Sequence, residues 1–193
     1  MHKICQICNN KVEFKSIHIE GPKLITPKVF GDHRGYFFES FNEYQFQDAG
    51  ILEHFRQDNQ SMSNKGILRG LHFQAPPFDQ GKLVRVIKGA VLDVIVDIRS
   101  TSRTYGQHYA VELTEENFLM LWIPSGFAHG FYTLEDQTIF SYKCTQVYAP
   151  QSEGGLMWND PSFNIDWGVK DPILSDKDKH YAPFDVFLSP FID

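Results

Sequence analysis

From Val12 onward the hydrophobic positions fall in short β-branched and aromatic runs cut by Gly, Pro and Asp. Residues 24–26, 35–38, 82–87, 91–98 and 107–113 each read as a strand, and many short strands with turn residues between them predict a sandwich or barrel. Alternation sets Leu92, Val94, Val96 and Ile98 on one face and Asp93, Ile95 and Asp97 on the other, one of which would line a barrel cavity. The Gly-containing turn in Val86-Ile87-Lys88-Gly89-Ala90-Val91 is a hairpin signal. In Arg69-Gly70-Leu71-His72-Phe73 a regular strand would put Arg69, Leu71 and Phe73 on one face and Gly70 and His72 on the other. The same alternation places Tyr142 with Phe140 and Cys144. One convincing helix covers residues 42–50, with Asn42 as N-cap and Gly50 as stop, and a second helical turn is expected at 175–179. The aromatic tail from Tyr181 to Phe191 is expected to pack on the barrel.

The chain has 193 residues, 42% hydrophobic and 15% aromatic, enough for one compact domain over 12–193 preceded by an extension over 1–11. No run approaches a membrane span, and the N-terminus lacks the apolar stretch of a signal peptide, so a cytoplasmic protein without a membrane partner is expected. Net charge is -6 and the Lys and Arg residues are scattered, which argues against nucleic acid as a partner. A few converging basic residues would still suffice for an anionic small molecule.

Cys5 and Cys8 form half of a zinc ribbon, yet the only other cysteine, Cys144, belongs to the barrel, so a reduced extension without metal is expected. His72 and His129 could suggest a metal pair, but no His-x-His surrounds His72, and a metal-free site is favoured. Taken singly, each chemical candidate has an ordinary reading. A strand His is usually a structural hydrogen-bonder, a barrel Tyr a core aromatic, and Lys82, Arg85 and Asp178 solvated charges.

Their order changes that reading. Phe30-Gly31-Asp32-x-Arg34-Gly35-Tyr36-Phe37-Phe38-Glu39-Ser40, Gln57-Asp58-Asn59, Leu68-Arg69-Gly70-Leu71-His72-Phe73-Gln74 and Gln80-Gly81-Lys82-Leu83-Val84-Arg85 follow one another along the chain. After them come Trp122-Ile123-Pro124-x-Gly126-Phe127-Ala128-His129-Gly130-Phe131, Tyr142-Lys143, Ser152-Glu153-Gly154-Gly155, Trp158-Asn159-Asp160 and Leu174-Ser175-x-Lys177-Asp178. Together they resemble the dTDP-4-dehydrorhamnose 3,5-epimerase family from about Lys23 to Asp178. The resemblance implies a mainly β, cupin-type jelly-roll barrel with a few short helices, forming a homodimer with shared active sites and using no cofactor. It also implies His72 as base held by Asp178, Tyr142 as the opposing acid, and Lys82 at the enolate oxygen. Arg69, Tyr148 and Lys177 would lie near the diphosphate of a dTDP-sugar, with Phe30, Arg34, Glu39, Gln57 and Asn59 around the nucleoside, partly from a neighbouring subunit. Asp93 and His129 would lie near His72 and the sugar.

The chemistry asks for such a set. A C4 ketone acidifies the hydrogens on C3 and C5, and inversion needs a base on one face and a proton donor on the other. A C3-only epimerase, a ketoisomerase on a related nucleotide sugar and a non-catalytic sugar-nucleotide-binding cupin remain the competing readings.

Overall fold

A computed structural model describes residues 12–192; the Cys5/Cys8 extension lies outside the described residues. Thirteen strands are formed among them: β1 (Glu13–Ser16), β2 (Lys23–Thr26), β3 (Phe30–Asp32), β4 (Gly35–Phe37), β5 (Gln57–Ser63), β6 (Leu68–Gln74), β7 (Lys82–Lys88), β8 (Ala90–Asp97), β9 (His108–Thr114), β10 (Met120–Ile123), β11 (Phe127–Thr133), β12 (Thr138–Cys144) and β13 (Glu153–Gly155). One antiparallel sheet runs β1-β2-β10-β7-β12-β5 and a second runs β13-β6-β11-β8-β9, while β3 and β4 form a separate hairpin. This is a mainly β, cupin-type jelly roll.

The one α-helix among the described residues, α1 (Glu43–Asp48), begins where Asn42 accepts the Gln45 N–H at 3.4 Å, and Gly50 follows it at φ +82°, as the capping residues predict. Residues 175–179 form the single expected turn, in which the Lys179 N–H reaches the Ser175 carbonyl at 3.3 Å, and it does not extend into a helix.

The central strands of both sheets are covered on both faces, which explains why β8, β10 and β11 carry apolar residues at successive positions, whereas the edge strands β5 and β9 keep one face exposed. Val84, Val86, Leu121, Ile123 and Phe140 of the first sheet meet Val91, Ile95, Leu113, Phe127 and Phe131 of the second across the interior. The outer face of the first sheet, with Ile25, Leu83, Met120 and Trp122, lies under Phe46 of α1 and Ile51. The outer face of the second, with Leu71, Phe73, Val94, Val96 and Ile98, lies under the C-terminal segment through Leu156, Trp158, Phe163, Trp167 and Phe191. The Leu92 face is thus this outer layer, and the Asp93 face is the interior one.

Two local expectations fail, for related reasons. The Gly89 turn is not a hairpin, because β7 and β8 belong to different sheets. Gly89 instead turns the chain between layers at φ +79°, where a Cβ would stand 2.3 Å from Thr138 Oγ1. Nor does Arg69 share a face with Leu71 and Phe73. The pairing of β6 with β11 matches His72 to His129 and Arg69 to Phe131, so two residues of β6 oppose the single Gly130. This bulge resets the alternation and turns the exposed Arg69 to the mouth of the cavity that His72 also lines. Gly70 allows it, with φ +133° and only 2.5 Å between a would-be Cβ and the Gly130 Cα.

Candidate active site

The interior opens at one end into a cavity of about 400 Å³ whose two walls are the two sheets. Arg69, His72, His129 and Phe131 line it from the second sheet; Ser61, Lys82, Phe140 and Tyr142 line it from the first; Lys177 and Asp178 close it from the C-terminal turn. A smaller cleft of about 270 Å³ shares His72, Lys82 and Tyr142 and continues to Gln57, Asn59, Tyr148 and Glu153.

The pairing registers dictate this grouping. His72 and His129 are direct cross-strand neighbours on β6 and β11. Tyr142 pairs with Val84 and with Asn59, and Cys144 with Lys82 and Gln57, so Lys82, Tyr142 and Asn59 share one inner face. His72 and Tyr142 therefore face the same space from opposite sheets.

His72 Nε2 lies 2.5 Å from Asp178 Oδ1, and Asp178, only 3% exposed, also takes the Ser175 hydroxyl at 2.8 Å through Oδ2. Burial alone would push the Asp178 pKa up. Its hydrogen bond and charge interaction with His72, the Ser175 hydroxyl and the nearby Lys177 outweigh burial and hold it below the usual carboxylate value. Asp178 is thus an ionised partner at Nε2, an arrangement that can hold the His72 proton on that nitrogen. A second pair stands beside it: His129 Nε2 lies 2.8 Å from Asp93 Oδ2, with Asp93 fully buried.

On the facing wall, burial raises the Tyr142 pKa; Cys144 and Glu153 add to the rise and Arg69 opposes it. The phenol is therefore protonated at neutral pH and can serve as a donor. Burial lowers the Lys82 pKa, against the anionic forms of Cys144, Asp93 and Glu153, which favour its charge. Among the described residues no group of three or more His, Cys, Asp or Glu side chains could hold a metal ion.

A family model described as dTDP-4-dehydrorhamnose 3,5-epimerase matches residues 16–185, a span that includes both walls and the C-terminal turn of this cavity. The chain belongs to the dTDP-4-dehydrorhamnose 3,5-epimerase family. A Shigella flexneri protein of that name is 53% identical over 169 residues, 86% of this chain and 93% of the relative. The crystal structure of a dTDP-6-deoxy-D-glucose-3,5-epimerase from Legionella pneumophila Philadelphia 1, in complex with dTDP-4-keto-L-rhamnose, matches with TM-score 0.89 at 44% identity over 93% of this chain and 96% of that one. A 3'-monoepimerase from Streptomyces bikiniensis in complex with dTDP-quinovose matches at TM-score 0.81 and 33% identity, covering 86% and 85%.

Of the residues that the epimerase family resemblance points to, His72, Tyr142, Asp178, Lys82, Arg69, His129 and Lys177 come together in the cavity, and Gln57, Asn59 and Tyr148 in the adjoining cleft. Phe30, Arg34 and Glu39 do not join them within one chain. Phe30 and Arg34 sit on the β3–β4 hairpin, where Phe30 is 52% exposed and Arg34 is paired with Asp32 at 2.5 Å. Glu39 accepts Asn42 and Gln45 amides at 3.2 and 3.1 Å, bracing the start of α1. Glu153, not singled out as a site residue on sequence grounds, forms an ion pair with Lys177 and takes the Tyr148 hydroxyl at 2.8 Å. The signal was the Gly154-Gly155 pair after it, which lets side chains approach β13 closely: a Cβ on Gly154 would stand 2.4 Å from the Phe73 ring.

Proposed function

We propose that this chain epimerises dTDP-4-keto-6-deoxy-D-glucose at C3 and C5, giving dTDP-4-keto-L-rhamnose for dTDP-L-rhamnose biosynthesis. The observation that carries the reading is the placement of His72, held by Asp178, and Tyr142 on opposite walls of one cavity. A sugar ring lying between the sheets presents one face to each.

Neutral His72 takes the proton from the carbon next to the ketone, and the electron pair left behind delocalises onto the C4 oxygen as an enolate. Asp178 stabilises the imidazolium that forms. Lys82, beside Tyr142, counters the enolate charge. Tyr142 then delivers a proton from the other face, and the carbon is inverted. Before the second carbon reacts, His72 releases its proton and the Tyr142 phenolate regains one, both through solvent at the open mouth. No step changes the oxidation state of the sugar, so proton transfer alone accounts for the reaction without a cofactor. Arg69 and Lys177, on the cavity rim with Tyr148 nearby, supply the positive charge and hydrogen bonding that a diphosphate needs.

The same reading makes the working unit a homodimer. Phe30, Arg34 and Glu39 reach a nucleoside at this cavity only if a second copy carries them there, and the exposed Phe30, Tyr36 and Phe37 of the hairpin support such a contact. We place the reaction in the cytoplasm, where nucleotide sugars are made from nucleoside triphosphates. NMR of the product, formed alone and coupled to a 4-keto reductase, is the test: dTDP-L-rhamnose after reduction supports the proposal. A product inverted at C3 only would assign the activity named for the Streptomyces bikiniensis neighbour, a shifted carbonyl would mark a ketoisomerase, and unchanged substrate would leave a binding protein.

A further inference from the structure

The mechanism uses one residue behind His72, Asp178, but a second side chain also bears on the imidazole. Tyr181, three residues after Asp178, sets its ring edge-to-face against that of His72, with centroids 5.7 Å apart and planes at 65°. Its place is made by Gly155, the cross-strand partner of His72 on β13. A Cβ on Gly155 would fall 2.4 to 2.6 Å from three atoms of the Tyr181 ring, so that ring occupies the slot a larger residue would fill. The Tyr181 hydroxyl is buried with no hydrogen bond of ordinary geometry among the described residues, and its nearest polar influence is the Lys177 ammonium, close enough that each shifts the ionisation of the other. Burial raises its pKa, Lys177 opposes the rise, and Glu153 and Asp178 add to it. It also stands outside the described linings of the cavity and the adjoining cleft.

We infer that Tyr181 is a positioning residue for the catalytic histidine, acting through its ring, so that Asp178 fixes one nitrogen of His72 and Tyr181 fixes the plane of the imidazole. This rests on the proposed epimerase reaction. A single hydrogen bond at Nε2 leaves the ring free to rock about the Nε2–Oδ1 line, which swings Nδ1 across the cavity. An aromatic edge packed on the ring blocks that motion. Loss of the constraint would misplace the proton-accepting atom without removing any contact to the sugar or diphosphate. Its cost therefore falls on kcat rather than KM.

The ring, not the hydroxyl, is the acting part, and two further variants separate this from general stability. Tyr181→Phe keeps the ring. Gly155→Ala pushes the ring out of its slot, and in a chain already carrying Tyr181→Ala that push has nothing to act on. The experiment is steady-state turnover of dTDP-4-keto-6-deoxyglucose by the wild type, Tyr181→Ala, Tyr181→Phe, Gly155→Ala and the Gly155→Ala/Tyr181→Ala double variant, with thermal denaturation of each. Expected are active wild type and Tyr181→Phe within about threefold of each other, and Tyr181→Ala and Gly155→Ala each lower in kcat by roughly 10- to 100-fold, as for loss of a residue that orients a functional one. KM should stay within about twofold, and the double variant should be no worse than the poorer single. If Tyr181→Ala keeps kcat, or if the two single losses multiply in the double variant, the positioning role is wrong. A Tyr181→Ala protein melting below the assay temperature is replaced by Tyr181→Leu, which fills the slot without an aromatic edge; wild-type kcat there also overturns the role. An inactive wild type would refute the epimerase reading itself, a different failure from any of these.

Discussion

Replacing Asp178 by Asn removes one charge and little volume from a side chain that is 3% exposed and bonded to His72 at 2.5 Å. Asp178 is buried but the His72 side chain is 30% exposed, so the interaction is partly screened by solvent and the resulting loss in rate is an upper range. Hydrogen bonds to charged groups contribute roughly 1.5–3 kcal/mol, and at about 1.36 kcal/mol per tenfold in rate the loss comes to roughly 10- to 150-fold in kcat. Only the part gained as His72 becomes imidazolium counts toward kcat, because the neutral ring already donates to the carboxylate before reaction. An Asn that turns its amide N–H toward Nε2 would force the proton onto Nδ1 and block the base altogether, taking the loss higher. The assay is initial-rate turnover at neutral pH. Asp178→Asn with wild-type kcat would refute the argument that this carboxylate powers the base. Stability provides a second reading with a definite sign. The folded pKa of Asp178 lies below its unfolded value, so its stabilisation is present above about pH 4 and fades as pH falls through the depressed folded value. The gap in melting temperature between wild type and Asp178→Asn should therefore be widest near neutral pH and close in acid. A gap that widens on acidification would contradict the assignment.

Other consequences follow from the two-walled geometry. Tyr142→Phe keeps the base and removes the opposing donor, so epimerisation should fall roughly 10²- to 10⁴-fold, while His72-dependent exchange of substrate hydrogen with D2O, followed by NMR, should survive. Lys82→Met should lower kcat roughly 10²- to 10³-fold, as for loss of a charge-stabilising group in a dry site, with dTDP affinity by calorimetry little changed. Gly70→Ala would drive a Cβ to 2.5 Å from the Gly130 backbone and should cost about 1–3 kcal/mol, seen as a lower melting temperature together with weakened substrate binding as Arg69 loses its place. Arg34→Ala should raise KM in the dimer without changing kcat, whereas an unchanged KM would remove Arg34 from the nucleoside site.

The strands and α1 were legible because alternation and caps are local signals. Their boundaries moved by a residue or two, as at Gln107–Leu113 against His108–Thr114. What the alternation could not show was which strands pair. Gly89 has the chemistry of a hairpin turn, and only the packing of Val86 and Val91 into one interior shows that it joins two layers. The direction of Arg69 was hidden for a similar reason, since a bulge depends on Gly130 of a strand 60 residues away. The catalytic candidates were legible only as an ordered set of motifs, because His72, Tyr142 and Asp178 are separated by 70 and 36 positions along the chain. Glu153 and Tyr181 were not assigned to the site because their significance is geometric: one holds Lys177 and Tyr148, the other rests on a glycine beside His72.

The central claim is that one base and one opposing acid invert both carbons flanking the ketone. Turnover of dTDP-4-keto-6-deoxyglucose in D2O, with deuterium located by NMR, tests it most directly. Deuterium is expected at both C3 and C5 of the inverted sugar with wild type and at neither with His72→Asn. Deuterium at C3 alone, or undiminished incorporation by His72→Asn, would contradict it.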